Sequence, residues 1–204
     1  MKSHFIANMA NEIQNPFTSI LGLANTIMSL SRDKWDSVIS MVSHIYSEAF
    51  NLDFQFKNIF TAAILESGQV TPQICRVDLP ALFSNLLESF RIEAEDKNIT
   101  LVLKSKEGVQ AGYYFKTDAE KLKLILSNLL SNAIKFTEKG SIELGCQILD
   151  RQLMFYVKDT GIGIPEYQID TIFETFRQAE GQNTRIFGGT GLGLSITKNL
   201  VEMM

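Results

Sequence analysis

The sequence predicts an α+β protein, a long helical hairpin followed by a mixed unit of helices and short strands. Three observations carry this. Over residues 2–66 apolar side chains recur at steps of three, four and seven. At Ser67-Gly68 that periodicity ends, and short alternating segments between capped helices take over. Near the carboxy terminus Gly188, Gly189, Gly191 and Gly193 crowd into one short stretch that opens into another amphipathic run.

Bulk properties narrow the function classes. The chain has 204 residues, 45% hydrophobic and 21% charged, which suits a globular protein with one large core or two small ones. A net charge of −4 offers no basic surface for nucleic acid. No apolar run approaches the ~20 residues of a membrane span, and the first residues lack the signal-peptide pattern. Cys75 and Cys146 stand apart in strand-like segments, which speaks for reduced thiols rather than a disulfide framework. Two cysteines and two distant histidines do not make a zinc site.

The first helix is expected over residues 2–30, where Phe5, Ile6, Met9, Ile13, Phe17, Ile20, Leu21, Ala24, Ile27 and Met28 recur at steps of three and four as an apolar face. Pro16 lies inside it and, lacking an N–H, predicts a kink near residues 12–16. The second helix, residues 34–66, carries two heptad series. Trp35, Val42, Ala49, Phe56 and Ala63 form one; Val38, Ile45, Leu52 and Ile59 form the other. A hairpin cannot cover so long a stripe itself, so it should pair with a second copy as a four-helix bundle or lie against another surface.

Beyond Gly68, read as the C-cap that stops the helix, a strand is expected at 70–77. Asp78 should cap a helix to about residue 97, with strands at 99–104 and 113–116. Asp118 should cap the helix 119–136, with Leu122, Ile125, Leu126, Leu129, Leu130 and Ala133 inward. Segments 141–149 and 152–158 alternate about Asp150-Arg151 as an antiparallel hairpin, and residues 192–201 read as the last helix.

Four clusters carry chemistry. Asn128, Asn132 and Lys135 share one face of a helix that is otherwise apolar. An amide oxygen there can ligate Mg²⁺, and an ammonium can meet phosphate; surface amides facing solvent are the plainer alternative. Asp159-Thr160-Gly161-Ile162-Gly163 follows a strand, a carboxylate able to accept from a purine amino group beside glycines that leave room for a ring, or simply a tight turn. Phe173 and Phe176 precede the polar segment 178–184, with ordinary core packing as the alternative. The glycine stretch leads into a helix start whose free N–H groups suit phosphate. Its glycines do not spell G-x-G-x-x-G and no strand precedes them, which argues against a Rossmann turn.

In this order the clusters resemble the N, G1, F and G2 boxes of sensor histidine kinases, members of the gyrase and MutL ATPase superfamily. The resemblance implies an α/β sandwich holding ATP–Mg²⁺ under a lid at residues 178–187. It makes Asn132 the Mg²⁺ ligand and sets Asn128 and Lys135 by the phosphates. Asp159 would meet the adenine amino group, Gly161 and Gly163 would shape its pocket, and Arg185, Gly189, Gly191 and Gly193 would close over the phosphates. ATP-hydrolysing members carry a general-base Glu where this chain has Asn128, an amide that takes no proton from water, so hydrolysis for its own sake is disfavoured. Residues 2–16 resemble the family's dimerisation and phosphoacceptor helix, giving a division into a hairpin, 1–68, and an ATP-binding unit, 69–204.

The departures are as informative. The family's His-Glu-x-x-Thr/Asn-Pro is here Asn11-Glu12-Ile13-Gln14-Asn15-Pro16. An amide nitrogen, its lone pair delocalised, cannot replace an imidazole as nucleophile. Self-phosphorylation at Asn11 is therefore expected to be absent, by natural divergence or by an introduced change, while Glu12 and Asn15 keep the family's general-base and water-orienting positions. His4 and His44 read as solvent-facing rather than as substitute acceptors. The family's last two strands would follow Met204, so the chain is expected to be the core of a larger cytoplasmic or membrane-anchored sensor. Expected partners are a second copy and a response-regulator receiver domain, without nucleic acid or membrane contact; a non-catalytic scaffold is the alternative.

Overall fold

A computed structural model of the chain describes residues 2–31, 33–68, 70–105, 114–149, 152–174 and 191–204. Helices α1 (Lys2–Ser29) and α2 (Trp35–Glu66) form the predicted hairpin, and α1 continues through Pro16, which is buried. Gly68, at φ +68°, turns the chain away from α2. Strand β1 (Cys75–Asp78) is shorter than the expected 70–77. Pro72 has no N–H to give a ladder, and the Gln73 N–H is taken by the Asp118 carboxylate at 2.7 Å, so pairing starts later.

Helix α3 (Leu79–Asp96) starts where Asp78 accepts from the Ala81 N–H, and β2 (Ile99–Ser105) and β3 (Tyr114–Thr117) follow. Helix α4 (Ala119–Phe136) has the predicted bounds. Then come β4 (Gly140–Leu149), β5 (Gln152–Asp159), a 3₁₀ turn (Glu166–Gln168) and α5 (Gly193–Met203). The connection at Asp150-Arg151 and the expected lid lie outside the described residues. One sheet has the order β2-β4-β5, β2 parallel and β5 antiparallel to β4; β1 and β3 pair separately.

Ile142, Leu144 and Cys146 of β4 face the helices, packing on Phe83, Leu86 and Phe90 of α3 and Leu126, Leu130 and Ile134 of α4. Along β4, Glu143 lies on the other face, bonded to Lys104 at 2.9 Å and to the Tyr156 hydroxyl at 2.8 Å. One buried and one polar face is the pattern of a half-covered sheet. A second core joins the hairpin to this unit: Phe54 of α2 meets Leu124 and Ile125 of α4 and Leu192, Ile196 and Leu200 around α5. The Phe90 ring stands edge-on to Phe50 at 5.3 Å and to Phe54 at 6.4 Å.

Of the α2 residues on this second core, Ile59 belongs to a heptad series, whereas Phe54, Ala62 and Leu65, with the buried Asn58, lie outside both. Of the series residues, Trp35, Val42 and Phe56 remain exposed. Helix α2 therefore has three working sides: one on α1, one on the sheet unit and one open.

Asp118 holds the start of α4, buried with its carboxylate taking the N–H groups of Gln73 and Lys121 and the Lys121 ammonium. Burial pushes this carboxyl up, but the Lys121 ammonium and the two N–H bonds outweigh it and hold it below the usual carboxylate range. Because the folded value is lowered, its stabilisation is complete above the unfolded pKa of about 4 and fades as pH falls through the folded value. Asp118→Ala should cost about 1–3 kcal/mol in urea unfolding at pH 7, a difference that shrinks on acidification. Leu126→Ala, in the fully buried core, should cost about 2–5 kcal/mol with no such pH dependence.

Candidate functional site

Three chain segments meet at the carboxy-terminal half of α4. The helix covers the sheet with Leu126, Leu130 and Ile134, so its opposite side is released from core duty and carries Asn128, Asn132 and Lys135. Asn128 is buried beneath the start of α5, where a Cβ on Gly193 would come 2.9 Å from its Oδ1. Only glycine lets the α5 backbone approach this amide so closely. The Asn128 Nδ2 is covered and has no hydrogen-bond partner among the described residues, an orphaned donor in a buried place. The plainer reading, amides facing solvent, thus does not hold for Asn128, while Asn132 is half-buried.

The turn after β5 is tied to the end of α4. Asp159 Oδ1 accepts from the Gly161 N–H at 2.9 Å, and Ile162 N–H donates to the Phe136 carbonyl at 3.3 Å. A Cβ on Gly161 would collide with that same carbonyl. Asp159 itself is exposed, and Gly163, at φ +69°, is exposed beside it. Gly191 has φ +68° just ahead of α5. Arg185, Gly189 and Phe176 lie outside the described residues.

The hairpin brings its own residues. Asn11 and Asn15 are exposed on α1, whereas Glu12 is half-buried with its Oε2 covered and without a hydrogen-bond partner among the described residues. Burial pushes the Glu12 carboxyl above its ordinary range, and the Lys135 ammonium pulls it partly back. Lys135 is affected in the opposite sense: burial lowers it, Glu12 restores part, and Lys97 lowers it further. A carboxylate next to position 11 and an ammonium at the end of α4 thus share one electrostatic environment.

Two supporting residues had no signal in the sequence. Lys97 donates to the carbonyls of Ile134 at 2.8 Å and Lys135 at 3.4 Å, holding a cation at the α4 carboxy terminus. Thr160 Oγ1 accepts from the Ser141 N–H at 3.1 Å and fixes the turn against β4. Both act across long sequence separations, and only an alignment of relatives could have marked them. His44, read as solvent-facing, is half-exposed with Nδ1 3.8 Å from Asp96 Oδ2.

Residues 117–204 match the family described as "Histidine kinase-, DNA gyrase B-, and HSP90-like ATPase". The whole chain is 33% identical to the autoinducer 2 sensor kinase/phosphatase LuxQ of Vibrio cholerae, of which it spans 24%. Across the curated relatives it matches, it spans 9–27% of their length. Among solved structures, full-length ShkA in complex with AMPPNP is similar over 97% of this chain and 40% of its own, at 25% identity and a TM-score of 0.64. Histidine kinase ThkA in complex with response regulator TrrA shares the fold over 98% of this chain and 54% of its own, with 22% identity and a TM-score of 0.56.

The clash at Gly161 gives a test of the turn's role in local structure. Gly161→Ala must push the turn off the Phe136 carbonyl and should destabilise the chain by about 1–3 kcal/mol in urea unfolding. Gly163→Ala, in open space, should cost less despite its positive φ.

Proposed function

Because this chain belongs to the sensor histidine kinases, we propose that it binds ATP with Mg²⁺ on the polar side of α4 and lacks an acceptor of its own. The observation that carries the reading is the orphaned Asn128 Nδ2 beneath Gly193: a buried donor, fronted by a glycine helix start, suits a phosphate oxygen. Asn132 would hold the Mg²⁺, which supplies charge neutralisation at the phosphate oxygens when bound. Lys135 would add a cation there, and its lowered pKa still leaves it next to Lys97 as a locally positive helix end.

Asp159 would accept from the adenine amino group through the oxygen not engaged by Gly161, with Gly161 and Gly163 leaving room for the ring. Arg185, Gly189, Gly191 and Gly193 would close over the phosphates. In this family the γ-phosphoryl passes to a bundle histidine and on to a response regulator. Here position 11 holds an exposed amide, so the first transfer fails while the binding site persists. Asn128 in place of a carboxylate supports transfer over hydrolysis.

The exposed side of α2, with Trp35, Ile39, Val42, Tyr46, Phe56, Phe60 and Ile64, supports a homodimer through the hairpin. The hairpin, residues 1–68, would then be the dimerisation unit and residues 69–204 the ATP-binding unit. A receiver domain as partner is supported by the similarity to ThkA, whose structure contains a response regulator. No helix among the described residues is long and apolar enough to cross a membrane. A cytoplasmic location for this core is supported by its likeness to the histidine kinase ATPase family. A second reading, a scaffold without chemistry, draws on the single observation of Asn11 where an imidazole is required.

Two measurements test this. Asn132→Ala should weaken Mg²⁺-dependent binding of a fluorescent ATP analogue by about tenfold or more, the equivalent of one lost charge-assisted contact. With γ-labelled ATP and Mg²⁺, Asn11→His should acquire an acid-labile label that the unaltered chain does not. Nucleotide binding without label on either chain would favour the scaffold.

A further inference from the structure

We propose that the nucleotide site is committed to its own chain, so that α4 faces position 11 of the hairpin it is covalently attached to and not that of a second copy. The inference rests on the ATP-site reading above for its meaning but on independent geometry for its substance. The sheet unit is seated on α2 of the same chain along a continuous line. His44 lies 3.8 Å from Asp96, Phe50 and Phe54 meet the Phe90 ring at 5.3 and 6.4 Å, and Phe54 packs with Leu124, Ile125 and Leu192.

That line fixes the level of the hairpin at which α4 is anchored. Ala10, Ile13, Gln14 and Phe17 of α1 line one groove with Leu52 and Phe56 of α2, so positions 11–12 stand at the height of Phe54. From its anchor at Leu124 and Ile125, α4 runs ten or so residues to Lys135, about 15 Å at its rise per residue. Packed helices sit ~8–10 Å apart, so a helix anchored on α2 has length enough to bring its end over α1. Glu12 is where this arrival is felt. Its Oε2 is covered and its neighbouring cation is the Lys135 of the same chain.

The consequence concerns what the unaltered chain can do in company. A site addressed to its own helix meets Asn11, and a histidine offered by a partner chain is out of its reach. Pairing with an acceptor-bearing kinase would then give no transfer from this chain. In an Asn11→His chain the step is intramolecular. An imidazole nitrogen forms the bond to the γ-phosphorus, the bond from that phosphorus to the β–γ bridging oxygen breaks, and ADP leaves with the electron pair. The proton on the imidazole's other nitrogen passes to Glu12.

The test needs no catalysis. Glu12→Cys and Lys135→Cys are combined in one chain in a Cys75→Ser background, since Cys75 is the exposed native thiol and Cys146 is buried. A short bifunctional maleimide is added, and the product is run on a denaturing gel and weighed intact. The expected product migrates as a single chain with both thiols consumed. A band of twice that mass, or no link within the chain while each single-cysteine variant reacts freely, overturns the proposal.

A second arm uses labelled ATP on mixed dimers, purified by two different tags. One chain is unaltered; the other carries Asn11→His with Asn132→Ala. Label on the second chain overturns the proposal, and its absence alongside label on Asn11→His alone supports it. If Asn11→His alone takes no label, the ATP-site reading fails, and the crosslink still decides the orientation.

Discussion

The structure depends on one helix meeting three surfaces at once. Leu126, Leu130 and Ile134 of α4 seal the sheet; Leu124 and Ile125 join α2 and α5; Asn128, beneath the start of α5, shares with Asn132 and Lys135 a polar side that belongs to neither apolar core. Fully buried Leu126, Leu130 and Ile134 on one side set the rotation of the helix about its axis, because a shift of one residue forward would put Ser127, Ser131 and Lys135 in their places against the sheet. The polar side is therefore held in place by apolar packing behind it. Asp118 fixes the same helix along its axis, capping its first turn and gripping Gln73. Rotation and translation of the site residues are thus determined by groups that take no part in the site.

Much of this was legible in the sequence, for a local reason. Asp78 and Asp118 cap the helices they precede, and α4 has the bounds its periodicity indicates, because capping and amphipathicity are encoded within a few residues. The strand expected from residue 70 starts later because the competing partner is distant: the Gln73 N–H is satisfied by Asp118, forty-five positions on. On α2 the heptads mark the α1 and open sides but, Ile59 apart, conceal the side formed by Phe54, Asn58, Ala62 and Leu65. An i+4 row within a helix already rich in apolar residues is hard to distinguish until its partner surface is known. Among the candidate site residues, Asn128, Asp159, Gly161 and Gly193 stand out by type and spacing, whereas Lys97 and Thr160 enter only through tertiary contacts.

Among the described residues, three of the five buried polar atoms without a hydrogen-bond partner lie where α2, α4 and α5 meet, the others being Glu12 Oε2 on α1 and Thr137 Oγ1 just past α4. Asn128 Nδ2 lies at the α4–α5 junction, Thr197 Oγ1 is buried on α5, and Asn58 Oδ1 is buried on the α2 face that carries Phe54 and Ala62. Each such group costs about 1–3 kcal/mol when left without a partner. The apolar contacts that seat the sheet unit on the hairpin are therefore opposed at the same place by polar groups that would gain on exposure to water. The sheet core, with its uniformly apolar contacts to α3 and α4, carries no comparable opposition along β4. A seam so composed is a natural place for the two units to part while each keeps its own core.

The arrangement around position 11 follows from helical geometry. Asn11 and Asn15, four apart, share one side of α1 and are exposed; Glu12, about 100° further round, is turned inward toward Lys135. A group approaching Asn11 and Asn15 from solvent need not displace Glu12, and the sheet unit seated at Glu12 does not cover the two amides. The two sides are nonetheless coupled through a single turn of backbone. Any event that draws Glu12 out of its half-buried place relieves its desolvation and removes a counter-charge from Lys135, whose own burial then lowers its pKa further. Loss of one acidic group next to position 11 would thereby weaken the cation at the far end of α4. Asn11 itself contributes no charge to this coupling and leaves it untouched.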